Sequence, residues 1–291
     1  MITSVPNVSE GRDATLLHAF ASAAGAHARV LDVDAGWDAH RVVLTLTGGD
    51  LVEANFQLAR LAVERVDLRT HRGVHVRMGA IDVIPFVPMG GEVEVCHRMA
   101  RALSERIARE LHVPAYRYGL GSRDLFAVRR DGFEGLRETM ALQPPDYGPP
   151  RPHPTAGAVA VGVRDVLIAF NVCLASEDLK LARAVARKVR ASAGGLHGVM
   201  ALGWHTPTLG CAQVSMNLTD WRRTPPHVVY EAIRAIAPVA GSELVGMMPL
   251  GALEAAAAHY HTDLAGAARA MGLDRVKPFD PERKVLELAV R

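Results

Sequence analysis

Apolar positions along this chain recur at two spacings, and together these predict its elements. Leu51, Ala54, Leu58, Leu61 and Ala62 fall on one helical face behind Asp50, a capping residue, so a helix is expected to run to about Val66. Just before it, Ala28–Asp34 alternates as a strand. Val42–Thr47 is a β-branched strand closed by Gly48-Gly49, and the two make a hairpin around the Gly36–Arg41 loop. The chain opens with a short strand, Ile2–Ser9, broken by Pro6, and an Ala/Leu-rich helix ending near Gly25. An apolar run ending at Pro88 reads as a buried strand, Val93–Leu111 as a helix, Pro114–Tyr118 as a strand and Gly132 to about Leu142 as a shorter helix.

The order β-α-β-β-α-β-α-β is not that of a Rossmann unit. It predicts an α/β (α+β) fold with a mixed or antiparallel sheet and helices on one face, of the ferredoxin-like or split βαβ kind. The pattern then recurs. Val163–Asn171 reads as a strand, a helix starts at Ser176, strands lie around Val199–Trp204 and Ala212–Leu218, a helix starts at Thr224-Pro225, and Glu243–Met248 is a strand. Helical segments at Pro249–Tyr260, Asp263–Met271 and Pro281–Leu288 follow. Two ferredoxin-like subdomains, 1–163 and 164–291, are therefore expected. Ahead of the boundary, Gln143–Ala156 holds six prolines in fourteen residues and must be a loop. Tyr147, Arg151 and His153 give that loop an aromatic face and polar groups, so it serves either as a linker or as a ligand contact.

Composition narrows the partners. With 291 residues, 49% hydrophobic and 22% charged, the chain can bury a substantial core. A net charge of +2 with no basic run leaves no footprint for nucleic acid or a membrane surface, and no apolar run approaches the ~20 residues of a bilayer span. A small-molecule partner is expected. Three separated cysteines, Cys96, Cys173 and Cys211, and no basic-then-apolar leader point to a reduced, cytoplasmic setting.

The chemistry concentrates in His71–Pro88, where two His and two Arg surround Gly73 and Gly79 and lead straight into the buried strand. Titratable groups on a loop anchored by a rigid strand suggest a site. An imidazole exchanges protons near neutrality and guanidiniums hold carboxylates, so the stretch reads as acid–base chemistry on an anionic substrate, with His75 as its centre and His71 structural. The His71-x-x-x-His75 spacing suits zinc only on a helix, which Gly73 interrupts, and no Glu follows His71, so no metal is expected.

Several blocks, in order, resemble the glutamate formiminotransferases, including the transferase part of formiminotransferase-cyclodeaminase. They are Val5-Pro-Asn-Val-Ser-Glu-Gly11, Leu31-Asp-Val-Asp-Ala-Gly36, Arg77-Met-Gly-Ala-Ile-Asp-Val83 with Pro85-Phe86, Leu167-Ile-Ala-Phe-Asn171, Gln213-Val-Ser-Met-Asn-Leu218 and Gly241-Ser-Glu-Leu-Val-Gly246. The resemblance implies two α/β subdomains with a folate tunnel between them and a homodimer. It also implies transfer of a formimino group between 5-formiminotetrahydrofolate and glutamate, with tetrahydrofolate as a substrate. It places the catalytic imidazole on His75 and the folate-binding loop on Gly148, Pro149, Pro150, Arg151, Pro152, His153, Pro154, Thr155, Ala156 and Gly157. The family's Gly-Glu-His-Pro-Arg stands here as Gly73-Val-His-Val-Arg77, without the acid and the proline.

In that reading neutral His75 takes a proton from the attacking amine and returns it to the departing pterin nitrogen. Asp34 steadies the cationic imidazole or formimino group, and Arg41, Arg77, Arg151 or Arg164 hold carboxylates. Transfer of a formyl group from 5-formyltetrahydrofolate, and folate binding without catalysis, stand as the alternatives.

Overall fold

A computed structural model describes residues 1–291 and divides them into two compact units, Met1–Asp165 and Val166–Arg291. In the first unit the order is β1 (Ile2–Ser4), β2 (Asn7–Val8), α1 (Ala14–Gly25), β3 (Arg29–Gly36), β4 (Arg41–Thr47), α2 (Leu51–Arg65), β5 (Ile81–Pro88), α3 (Val93–Glu110), β6 (Ala115–Gly119), α4 (Leu125–Arg129), α5 (Leu136–Leu142) and β7 (Val159–Val163). β1 and β2 each pair antiparallel with both β4 and β5, so they are two halves of one strand interrupted at Pro6, as its missing N–H requires. Counting them as one strand, β3-β4-β1/β2-β5 has the antiparallel order of a ferredoxin-like sheet. β7 and β6 extend it in parallel beyond β5.

The two long early helices start as the sequence predicts. The Asp13 and Asp50 carboxylates accept the first free backbone N–H groups of α1 and α2, the latter from Val52 and Glu53 at 3.1 and 3.0 Å. α1, α2 and α3 cover one sheet face. Phe20, Leu44, Leu46, Leu58, Ile84, Phe86, Leu103 and Val161 meet there without solvent contact. Each such side chain contributes about 1.5–3 kcal/mol by leaving water. On the other face the alternate residues of β6 and β7, Tyr116, Tyr118 and Ala160, pack against Val128 of α4 and Leu136 and Met140 of α5.

The second unit contains β8 (Ile168–Leu174), α6 (Leu179–Val189), β9 (Val199–Thr206), β10 (Cys211–Leu218), α7 (Pro226–Arg234), β11 (Val239–Val245) and α8 (Leu250–Tyr260), followed by shorter helices. Its antiparallel sheet runs β11-β8-β10-β9, the ferredoxin-like order again. Both halves thus build the same sheet from the same β-α-β-β-α-β string.

Some elements differ from the sequence reading. The single strand expected over Val163–Asn171 is two strands in different sheets, β7 ending at Val163 and β8 starting at Ile168. Ala156–Val163 is buried on both faces, so it carries no period-two alternation and is hidden beside the prolines. α4 is too short to show helical periodicity. β11 lies at Val239–Val245 rather than Glu243–Met248.

Candidate active site

His75 sits in the connection between α2 and β5, which is pinned to the β3–β4 turn. The Val74 N–H donates to Asp38 O at 3.0 Å, and no side chain fits at Gly73, where a Cβ would lie 2.3 Å from Ala39 O. His71 is buried beneath this contact. Its Nε2–H donates to His40 O at 2.8 Å, its Nδ1 accepts from Arg77 Nε at 3.2 Å, and its ring lies 4.2 Å from that of His40. Both ring nitrogens are engaged within the fold, which makes His71 a structural residue.

His75 is held differently. Its Nδ1–H donates to the Val76 carbonyl at 2.6 Å, which fixes the tautomer and leaves Nε2 as the basic nitrogen. The same carbonyl accepts from Arg129 Nη2 at 2.7 Å, and Arg129 Nη2 also reaches Asp82 Oδ2 at 2.7 Å. Asp82, on β5, is fully buried. It bridges Arg129 to Arg41 and takes the N–H groups of Met78 and Gly79 at 2.8 and 3.3 Å. Arg41 in turn donates from Nε to Asn7 Oδ1 at 2.8 Å. A carboxylate in a sheet interior needs this many donors.

Two guanidiniums, Arg41 and Arg129, flank the Asp82 carboxylate, and together these groups set the protonation states. Burial alone would raise the Asp82 pKa, but Arg129, Arg41 and the backbone N–H groups outweigh it and hold it at about 2. Burial, then Arg41 and Arg129, lower His75 to about 3, against a smaller opposing effect of Asp82. His75 is half-buried, and at neutral pH it is an unprotonated base.

The remaining site residues read from the sequence fall as follows. Asp34 is buried on β3 opposite Val43, so it shares a sheet face with Arg41, two residues along β4. Arg77 is turned away into the fold. Its guanidinium makes a two-pronged pair with Glu134, both contacts at 2.7 Å, and lies over the Phe133 ring. Arg164 ends β7 against the Tyr118 phenol; burial lowers its pKa and raises that of Tyr118, which also feels Arg129 and Asp82. In the proline-rich loop Arg151 is exposed. His153 Nδ1 accepts from Ala156 N at 3.0 Å, so its ring shapes the turn. The loop's end runs against the strand entrance beside His75: Ala80 N–H donates to Ala156 O at 3.0 Å and Ala158 N–H to Met78 O at 3.1 Å. Gly157 has φ +68°, and a Cβ there would lie 2.0 Å from Met78 O. The structure therefore brings the end of Gly148–Gly157 to within a few residues of His75.

Sequence reasoning missed Asp82 as a site residue, along with Arg129. Asp82 had a legible signal, being the one charge inside the apolar run Ala80–Val87. Arg129, in the unremarkable pair Arg129-Arg130 before Gly132, had none.

An unprotonated imidazole beside the buried cluster of Asp82, Arg41 and Arg129, all in the first ferredoxin-like unit, is an arrangement able to take up and return a proton. The chain belongs to the formiminotransferase family: residues 1–164 match the formiminotransferase domain, N-terminal subdomain, and residues 169–291 match the formiminotransferase domain. It is 37% identical to formimidoyltransferase-cyclodeaminase of Rattus norvegicus over 100% of its own length and 60% of that protein, so it spans about three fifths of that relative. It is 35% identical to glutamate formimidoyltransferase of Streptococcus pyogenes serotype M1, covering 99% of this chain and 97% of the relative. To the glutamate formimidoyltransferase of Thermoplasma acidophilum it is 37% identical, over 89% of this chain and 92% of that one.

Proposed function

We propose that this chain is a glutamate formimidoyltransferase, passing a formimino group between 5-formiminotetrahydrofolate and glutamate, with tetrahydrofolate as a substrate and His75 as the proton carrier. The observation that carries the chemistry is the fixed, unprotonated imidazole of His75, whose Nδ1–H is tied to Val76 O. In the direction of glutamate formimidoylation, the glutamate amine loses a proton to Nε2 as its nitrogen bonds to the formimino carbon. The carbon–N5 bond of the pterin then breaks, and N5 takes the proton back from the imidazolium. Bonds and protons balance, and no further reactant is required. Such shuttling contributes roughly 10²–10⁴-fold.

Arg41 and Arg129 favour a substrate carboxylate bound near them, and such a carboxylate would offset the charge that depresses His75 and make the imidazole a stronger base. Asp34 supports cationic species on the Arg41 face. Gly148–Gly157 holds the folate, its end set beside the His75 loop. The pairing of Arg77 with Glu134 favours a positioning role for it, and leaves Arg41 the stronger carboxylate holder of the two. The enzyme works in the cytoplasm as a homodimer, for which light scattering should give twice the chain mass. The activity is tested by following N-formiminoglutamate formation from 5-formiminotetrahydrofolate and glutamate, with 5-formyltetrahydrofolate as a parallel donor. Turnover with the formimino donor is expected; turnover only with the formyl donor, or tight folate binding without turnover, would overturn the assignment.

A further inference from the structure

We propose a second ligand site, on the α3 side of β6, that takes a small oxyanion. A pocket of about 360 Å³ is lined there by His97, Arg117, Leu120, Ser122, Asp146 and Tyr147. That volume lies at the lower end for small-molecule sites, the size of an amino-acid-like acid.

The case rests on Arg117. Its neighbours Tyr116 and Tyr118 pack against α4 and α5, so alternation along β6 directs Arg117 to the opposite face, towards α3. There its Nη2 donates to Nδ1 of His97 at 3.3 Å, while its Nε is buried with no hydrogen-bond partner. No carboxylate pairs with this guanidinium. Asp146, the one acid lining the pocket, is already engaged, its Oδ2 accepting from the backbone N–H of Arg117 at 2.7 Å and from the Arg123 side chain. Arg117 thus keeps a guanidinium without a carboxylate partner, one donor of which is buried without an acceptor, an arrangement that an anion's oxygen would complete. Since Nδ1 of His97 accepts from Arg117, its Nε2 carries the ring proton, and Ser122 adds a hydroxyl from an exposed turn. The Tyr147 ring and Leu120 form an apolar wall, which fits a carboxylate on a short carbon chain or a phosphate ester better than a bare ion. His75 is not among the lining residues, and two of them, Asp146 and Tyr147, belong to the proline-rich loop just ahead of Gly148.

The test follows the imidazole ¹⁵N and ¹H signals of His97, assigned with His97→Gln, as acetate, glutarate and inorganic phosphate are titrated into the whole chain. A saturable shift of the His97 signals in the millimolar range is expected with at least one anion, weakened about tenfold or more in Arg117→Gln and severalfold in Ser122→Ala. The acetate and glutarate arms against the phosphate arm separate a carboxylate site from a phosphate site. If Arg117→Gln does not fold, Arg117→Lys serves in its place, since its point charge should retain part of the binding. No saturable shift with any of the three anions, or equal affinities in wild type and the Arg117 variant, would overturn the proposal.

Discussion

Arg129 and His75 meet at a single atom, the carbonyl oxygen of Val76, which Arg129 Nη2 approaches to 2.7 Å and His75 Nδ1 to 2.6 Å. The guanidinium is anchored behind by Asp82, so the orientation of the imidazole is set by a buried ion bridge. The same guanidinium depresses the imidazole pKa. Arg129 therefore acts on His75 twice, through the carbonyl it holds and through its charge.

Arg129→Gln separates these effects. Removing a positive charge favours the protonated imidazole, so the acidic limb of kcat/KM, which reports the free enzyme, should move to higher pH. The loosened carbonyl should lower kcat about 10–100-fold, as expected when about 1.4–2.7 kcal/mol of positioning is lost. An unmoved limb would remove Arg129 from this role.

Asp82→Asn is expected to destabilise the fold by about 3–5 kcal/mol, because Arg41 and Arg129 would be left buried without their shared anion. In the wild type the depressed pKa of Asp82 sets a direction. Its contribution is fully present above the ordinary carboxylate value near 4 and is lost as pH falls towards 2. Urea denaturation at pH 7 and at pH 3 measures both quantities.

His40 gives a milder pH dependence. Burial, and then His71, lower it to about 4, with Glu10 opposing, so its neutral form is favoured in the fold. Its contribution to stability should be level above about pH 6.5 and fall below it, by up to about 1.4 kcal/mol per pH unit, until about pH 4. His40 has φ +49°, a conformation asparagine accepts, so His40→Asn should remove its share of the slope without straining the turn and leave the shares of His71 and His75. Thermal melts across pH 4–7 check it.

Val74, next to His75, is 43% exposed, so Val74→Glu disturbs no packing. A carboxylate there should raise the His75 pKa, moving the acidic limb upward by less than about one unit because solvent screens it. A shift in the opposite direction would mean that the Glu bonds elsewhere.

The two-fold β-α-β-β-α-β plan was legible because its helices and hairpins carry clean periodicity, and Asp50 announces its helix as a cap. β7 was not, because a strand buried on both faces and built of Val, Ala and Gly lacks the alternation that marks a half-exposed strand. His75 stood out through its glycine-flanked, Arg-rich surroundings. Its partner Arg129 did not, since it lies 54 residues away in a five-residue helix, and only the fold places it at Val76 O. Arg77 shows the converse: local sequence made it a carboxylate holder, while Glu134, distant in sequence, occupies its guanidinium.

The most direct test of the central claim compares wild type with His75→Ala for turnover of 5-formiminotetrahydrofolate with glutamate, alongside folate affinity by fluorescence titration. The wild type should turn over, and His75→Ala should lose about 10²–10⁴ in kcat while binding folate within a few-fold, because an acid–base group acts on the transition state more than on ground-state binding. Undiminished turnover in folded His75→Ala would contradict the account.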